Sequence, residues 1–199
     1  MDSRPKWLKA MVCCAISCKH SGYIRNSLHI LFQQKKINKN KTVKKIMKQS
    51  TLCLLIKDNQ ILLAMKKRGF GVGKWNGVGG KVEFGEKITD AAVREAKEEI
   101  GVDLKNIEKV GVFKFKFTDK PEWNQMVTLF VAKEWDGEPA ESDEMAPKWF
   151  LHDEIPYKKM WPDDAHWMPH VLKGSKVEAN FIFEDEYKIL EHDVKVLDS

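Results

Sequence analysis

The sequence predicts an α+β fold, a mixed β-sheet with helices packed on it, over residues 49–199. Three observations point there. From Ser50 onward, short apolar runs alternate with turn signals; one amphipathic helical pattern interrupts them; and a second helical segment comes late, before two final strands. Strands, an internal helix, more strands and a late helix pack as a mixed sheet covered by helices. With 199 residues, 43% hydrophobic and only four Cys, the chain is not collagen, a disulfide-rich miniprotein or a wholly disordered polymer.

Residues 1–48 stand apart. They carry 12 Lys and Arg against one acid, Asp2, whereas residues 49–199 carry 22 bases and 28 acids, a net charge of −6. A basic extension therefore precedes an acidic domain. Its apolar stretch, residues 7–17, is shorter than the ~18 residues a membrane span needs. It lacks the cleavage pattern of a secretory signal, with Asp2 in the basic region. Poor in acids and with an amphipathic piece at 23–32, the extension suits a mitochondrial presequence; residues 33–48 read equally as a solvated Lys/Asn linker, and Met47 as a second start site. Cys13, Cys14 and Cys18 lack paired C-x-x-C spacing, and Cys53 lies in an apolar run as a small buried hydrophobe. With no disulfide framework, a reducing compartment is expected: cytoplasm, with mitochondrial import through the extension as the alternative.

In the domain, residues 51–57 and 60–66 flank Asp58-Asn59 and predict a tight hairpin. Residues 69–80 hold six of the chain's twelve glycines, which predicts an irregular loop that lets backbone approach another group closely. A helix follows, with Thr89 as cap or first-turn residue, running to about Glu99 and stopped by Gly101. Strands are expected at 109–118, 125–134 and 147–151, a second helix near Pro162, and final strands at 177–183 and 187–196. Trp149, Phe150 and Phe130 are expected in the core, and no histidine has ligand-like spacing.

The segment 80–102 carries the chemistry. On a helix, Glu95, Glu98 and Glu99 stand at i, i+3 and i+4 and share one face. Such a face is either a solvated acidic surface or the hard-oxygen ligand set that Mg²⁺ or Mn²⁺ requires. The spacing G-x5-E-x7-R-E-U-x-E-E-x-G-U, with U aliphatic, is met by Gly80, Glu86, Arg94, Glu95, Ala96, Glu98, Glu99, Gly101 and Val102. Its fixed residues, at roughly 6% frequency each, give a chance match on the order of one in a million.

This is the Nudix box, and the chain resembles the Nudix hydrolases. The resemblance implies a mixed sheet sandwiched between helices (α/β/α) and cleavage of nucleoside diphosphate derivatives by water, with an acid-bound divalent metal. It implies Glu95, Glu98 and Glu99 as catalytic residues and metal ligands, with the Gly79 carbonyl as a further ligand. Glu86 and Arg94 would form the ion pair that ties the loop to the helix.

Segments 65–82, 139–150 and 160–169 are similar to the animal MutT-type members that act on oxidised purine nucleoside triphosphates. Matched position by position, Asn76, Asp163 and Asp164 would read the base edge. Trp161 and Phe70 would wall the pocket, with Pro162 beside them. Thr51, Lys66, Val78, Gly79, Gly80 and Lys81 would contact the nucleotide, and Glu144 would be a further metal-side carboxylate. Two adjacent carboxyls raise one another's pKa, so one donates while the other accepts; alternatively, both are favourable charges at a helix start, with Pro162 at its first position. Against that pattern, Val78 replaces the usual Phe, Ala96 replaces Leu, and 122–127 holds one extra residue and lacks the pocket Met.

The expected activity is Mg²⁺-dependent hydrolysis of oxidised purine (deoxy)nucleoside triphosphates, such as 8-oxo-dGTP and 2-hydroxy-dATP, to monophosphate and diphosphate. The alternatives are another nucleotide, such as a dinucleoside polyphosphate or capped RNA, or a non-catalytic nucleotide- or RNA-binding module. The expected partner is a small-molecule nucleotide bound by a monomer, with no stable nucleic-acid partner and no transmembrane segment.

Overall fold

The computed structural model describes residues 47–197. The expectations for the basic extension, apart from its last residues Met47 and Lys48, lie outside the described residues.

Strands β1 (Lys48–Lys57) and β2 (Gln60–Lys66) form the expected hairpin, turning at Asp58 with φ 54°. The glycine loop that follows is less irregular than expected. It contains a two-residue strand β3 (Trp75–Asn76) and bridges Val78 to Cys53 and Lys81 to Ser50. Helix α1 (Ile88–Ile100) begins at an uncapped Lys87, so Thr89 is a first-turn residue. It stops at Gly101, whose φ of 80° suits glycine.

Beyond α1 lie β4 (Asp103–Lys105) and β5 (Glu108–Phe117). A bulge between Lys109 and Gly111 accounts for the change of apolar phase from Val110 to Phe113. The expected strand 125–134 divides at Lys133 into β6 (Gln125–Ala132) and β7 (Glu134–Asp136). The short β7 pairs with β4 in a separate two-stranded sheet that the sequence did not announce. Strand β8 (Met145–Leu151) precedes helix α2 (Asp164–Leu172), which leads to β9 (Lys176–Phe183) and β10 (Ile189–Leu197).

The main sheet runs β10-β9-β5-β6-β1-β2-β3, with β8 also on β2. The pairs β1–β6 and β5–β9 are parallel and the others antiparallel. Central β1 is buried on both faces, which is why LCLLI reads as a continuous apolar run. Leu54 joins the core on one face with Trp167, Met168 and Val171 of α2. Cys53 and Leu55 join that on the other with Ala92, Ala96 and Ile100 of α1. Ala96 is fully buried there, a small residue that lets α1 lie close to β1. This is the expected α+β sandwich of a mixed sheet between helices. Among the described residues no helix is long and apolar enough to cross a membrane.

Candidate active site

The glycine loop crosses directly over the acidic face of α1. The Gly79 amide donates to Glu99 Oε2 at 2.9 Å, and Lys66 Nζ lies 3.3 Å from Glu99 Oε1. A Cβ on Gly80 would fall 2.4 Å from the Glu95 carboxyl, so only glycine allows that approach. Arg94 then ties loop and helix together: its Nε and Nη2 donate to the two Glu86 oxygens at 2.8 and 3.0 Å, and Nη2 also to the Lys81 carbonyl at 3.1 Å. The Arg94 pair and the Glu83 amide hold the Glu86 carboxyl down to about 2. Burial pushes the Glu99 carboxyl up, opposed by the Gly79 amide and Lys66.

The three glutamates share a helix face but do not converge on one point. Glu95 and Glu98 each accept from Arg94 Nη1, at 2.9 and 3.2 Å, while Glu99 turns to Lys66 and Gly79. Among the described residues no three acidic groups are placed to hold a metal ion together. The donor set nevertheless fits a hard divalent cation. Every donor is oxygen, and the Gly79 carbonyl accepts no hydrogen bond among the described residues. The Lys66 ammonium already bridges Glu99 and Glu144, at 3.3 and 3.7 Å. The Arg94–Glu98 pair is an exposed i,i+4 contact worth about 0.3–0.5 kcal/mol, too little to keep Glu98 from a stronger cation.

Next to this face opens a cavity of about 540 Å³, a size suited to a nucleotide. Of the residues read from the sequence, Thr51, Lys66, Phe70, Asn76, Gly79, Gly80, Lys81, Glu144, Trp161, Asp163 and Asp164 line it. Val78 does not. Side chains alternate along the loop, so Gly77 and Gly79 border the cavity while Val78 is 2% exposed, in the core with Ala92 and Ile100. Pro162 is also outside the lining, in the turn that presents Trp161. Pro162 is not the first residue of α2; that helix starts at Asp164, and Asp163 makes no side-chain cap.

Asp163 and Asp164 are nearly fully buried. Asp163 accepts from Trp167 Nε1 at 3.1 Å, and Asp164 from the Trp161 amide at 3.0 Å. Burial pushes Asp163 up to about 6. Burial, and then the Asp163 charge beside it, push the Asp164 carboxyl well above the usual carboxylate range. Two adjacent carboxyls raised together in this way titrate as a pair, so that one can donate while the other accepts. Phe70 stacks against Trp161 with ring centroids 4.8 Å apart. Phe70 also meets Trp123 edge-on, with ring centroids 4.8 Å apart.

Phe115 and Phe117 of β5 and Phe183 of β9 complete the apolar wall, Phe117 and Phe183 being paired in register. Gln125 stands in the segment where no pocket Met was found, and it lines the cavity with its Oε1 accepting from Ser50 Oγ at 3.1 Å. Lys74 also enters the lining and had no signal beyond being one base in a glycine loop.

Residues 47–171 match the family model described as NUDIX domain. The chain is 45% identical over 149 residues to the mouse (Mus musculus) oxidized purine nucleoside triphosphate hydrolase, spanning 75% of this chain and 95% of that protein. It is 47% identical over 142 residues to the zebrafish (Danio rerio) protein of the same name, spanning 71% and 90%. A MutT protein crystal structure from Bacillus halodurans superposes with a TM-score of 0.67 at 30% identity, covering 74% of this chain and 97% of that one.

Proposed function

The chain belongs to the Nudix hydrolases, and on that premise we propose that it hydrolyses oxidised purine nucleoside triphosphates, such as 8-oxo-dGTP and 2-hydroxy-dATP, to monophosphate and diphosphate. Mutagenic precursors would thereby be removed from the nucleotide pool. The observation that carries this reading is one cavity joining two unlike ends: Asp163, Asp164, Asn76 and Trp161 at one, Gly79, Gly80, Lys66 and Glu144 at the other.

At the base end, one carboxyl of the Asp163–Asp164 pair donates and the other accepts, while Trp161 offers an aromatic surface to the purine. Asn76 accepts from the Gly77 amide through Oδ1 at 2.9 Å, which leaves its NH₂ for the base edge. At the phosphate end, Lys66 and Lys81 attract the anionic chain, and Glu95, Glu98 and Glu99 form the acidic face that orients the attacking water. Bound there, a divalent cation, Mg²⁺ with Mn²⁺ as a substitute, neutralises phosphate charge and activates water. The protein is taken to act as a monomer in a reducing compartment, the cytoplasm.

Product analysis tests this. With full-length protein and Mg²⁺, 8-oxo-dGTP should yield 8-oxo-dGMP and diphosphate. Release of orthophosphate instead, or turnover confined to capped RNA or dinucleoside polyphosphates, would contradict it.

A further inference from the structure

Lys74 stands where the glycine loop meets the buried carboxyl pair. Its Nζ donates to the Met160 carbonyl at 3.2 Å, lies 5.0 Å from the Trp161 ring, and lies 4.7 Å from the Tyr187 ring in the β9–β10 turn. Met160 directly precedes Trp161, whose amide holds Asp164, so Lys74 is anchored on the same turn as the pair and lines the same cavity. The other groups facing the two carboxyls are neutral donors or acids: the Trp167 indole on Asp163, the Trp161 amide on Asp164, and the Tyr157 phenol, which feels the Asp164 charge. Lys66, Arg68 and Lys81 line the cavity too, with Glu144, but Lys66 and Arg68 are engaged with Glu144 and Lys66 also with Glu99.

We propose that Lys74 is a specificity-determining residue of the purine pocket, its anchored ammonium maintaining the single negative charge that Asp163 and Asp164 share. Two buried, adjacent carboxyls each disfavour the other's charge, and an ammonium anchored on the same turn, lining the same cavity, favours keeping one of them ionised. The Lys74 charge acts in that direction on each, beside the Trp167 indole and the Trp161 amide. Because Lys74 also packs against Trp161, it sets the ring that stacks the base and the charge that reads its edge at the same time. This inference rests on the purine reading of the cavity, and one of its tests does not.

The experiment uses full-length wild type, Lys74→Met, Lys74→Gln and Lys74→Arg. The first readout is the Trp167 indole N–H resonance followed against pH without substrate, since that N–H bonds Asp163. In Lys74→Met and Lys74→Gln its inflection should move upward by about half a pH unit or more, and in Lys74→Arg it should stay near wild type. The second is KM for 8-oxo-dGTP at neutral pH, expected to rise about tenfold in the two neutral variants with a smaller change in kcat, and to be rescued in Lys74→Arg. An inflection that is the same in all four proteins overturns the proposal, as does an unchanged KM in the neutral variants. If wild type turns over no oxidised purine, the proposed function fails, while the indole inflection still decides the role of Lys74.

Discussion

The backbone amide of Gly79 donates to Oε2 of Glu99 at 2.9 Å, so the most buried carboxylate of the acidic face also fastens the glycine loop to its helix. Chemistry and stability are therefore separable at Glu99. Glu99→Gln keeps an acceptor for the amide and should fold with wild-type stability and bind nucleotide, while kcat falls by about a hundredfold or more. Glu99→Ala leaves the amide unpaired and should in addition lose roughly 1–3 kcal/mol in denaturant unfolding. Full activity in Glu99→Gln would remove Glu99 from the reaction.

Adjacent glycines make opposite predictions. A Cβ at Gly79 would lie 2.3 Å from the Thr51 carbonyl, where φ is already 149°, so Gly79→Ala should destabilise the fold by a few kcal/mol. At Gly80 the obstacle is the end of the Glu95 side chain, 2.4 Å away, which can rotate off Arg94. Gly80→Ala should therefore melt within a few degrees of wild type and lose about tenfold or more in kcat. Thermal melts and initial rates on the two variants check this.

The Arg94–Glu86 clamp predicts an acid limb of stability. Glu86 is held at about 2 against an ordinary 4.5, so its contribution is fully present above about 4.5 and is lost as pH falls toward 2. In Arg94→Ala the carboxyl rises toward its ordinary range, held down only by the Glu83 amide, and stability measured from pH 6 down to pH 2 should fall less steeply than in wild type. An unchanged slope would show that the clamp has no share in it.

Gln125 adds an amide donor to the cavity, because Ser50 Oγ occupies its Oε1 at 3.1 Å. Gln125→Met should raise KM roughly five- to tenfold for purines carrying a carbonyl acceptor and leave Ser50, 7% exposed, without that partner. Adding Ser50→Ala should restore stability but not KM. Unchanged KM values across such purines would show that the amide does not contact the base.

How far the site was legible follows from how local each signal is. Glu95, Glu98 and Glu99 lie on one short stretch whose spacing maps directly onto one helix face, and the Glu86–Arg94 pair was implied by the family resemblance; that Glu95 and Glu98 turn to Arg94 while Glu99 turns to Lys66 and Gly79 was not legible. Asp163 and Asp164 were legible as a pair, but their burial was not, since it depends on α2 packing against β9. Val78 was misplaced because a bridge to Cys53 orders the glycine loop and turns that side chain into the core. Lys74 and Gln125 were missed for a related reason: each reaches the cavity through contacts with residues 75 or more positions away, Met160 and Ser50, which no local pattern records. The split of β6 from β7 at Lys133 carries no Gly or Pro signal, only the charged pair Lys133-Glu134 after the apolar run ends at Ala132.

If the pocket selects an oxidised purine and the acidic face hydrolyses its triphosphate, the two nucleotides 8-oxo-dGTP and dGTP must be told apart by kcat/KM of the full-length protein, measured with Mg²⁺ under identical conditions. The oxidised nucleotide should be preferred by at least about tenfold, because the pocket's buried donors and acceptors are left unpaired by the wrong base edge. Equal values, or a preference for dGTP, would contradict this reading.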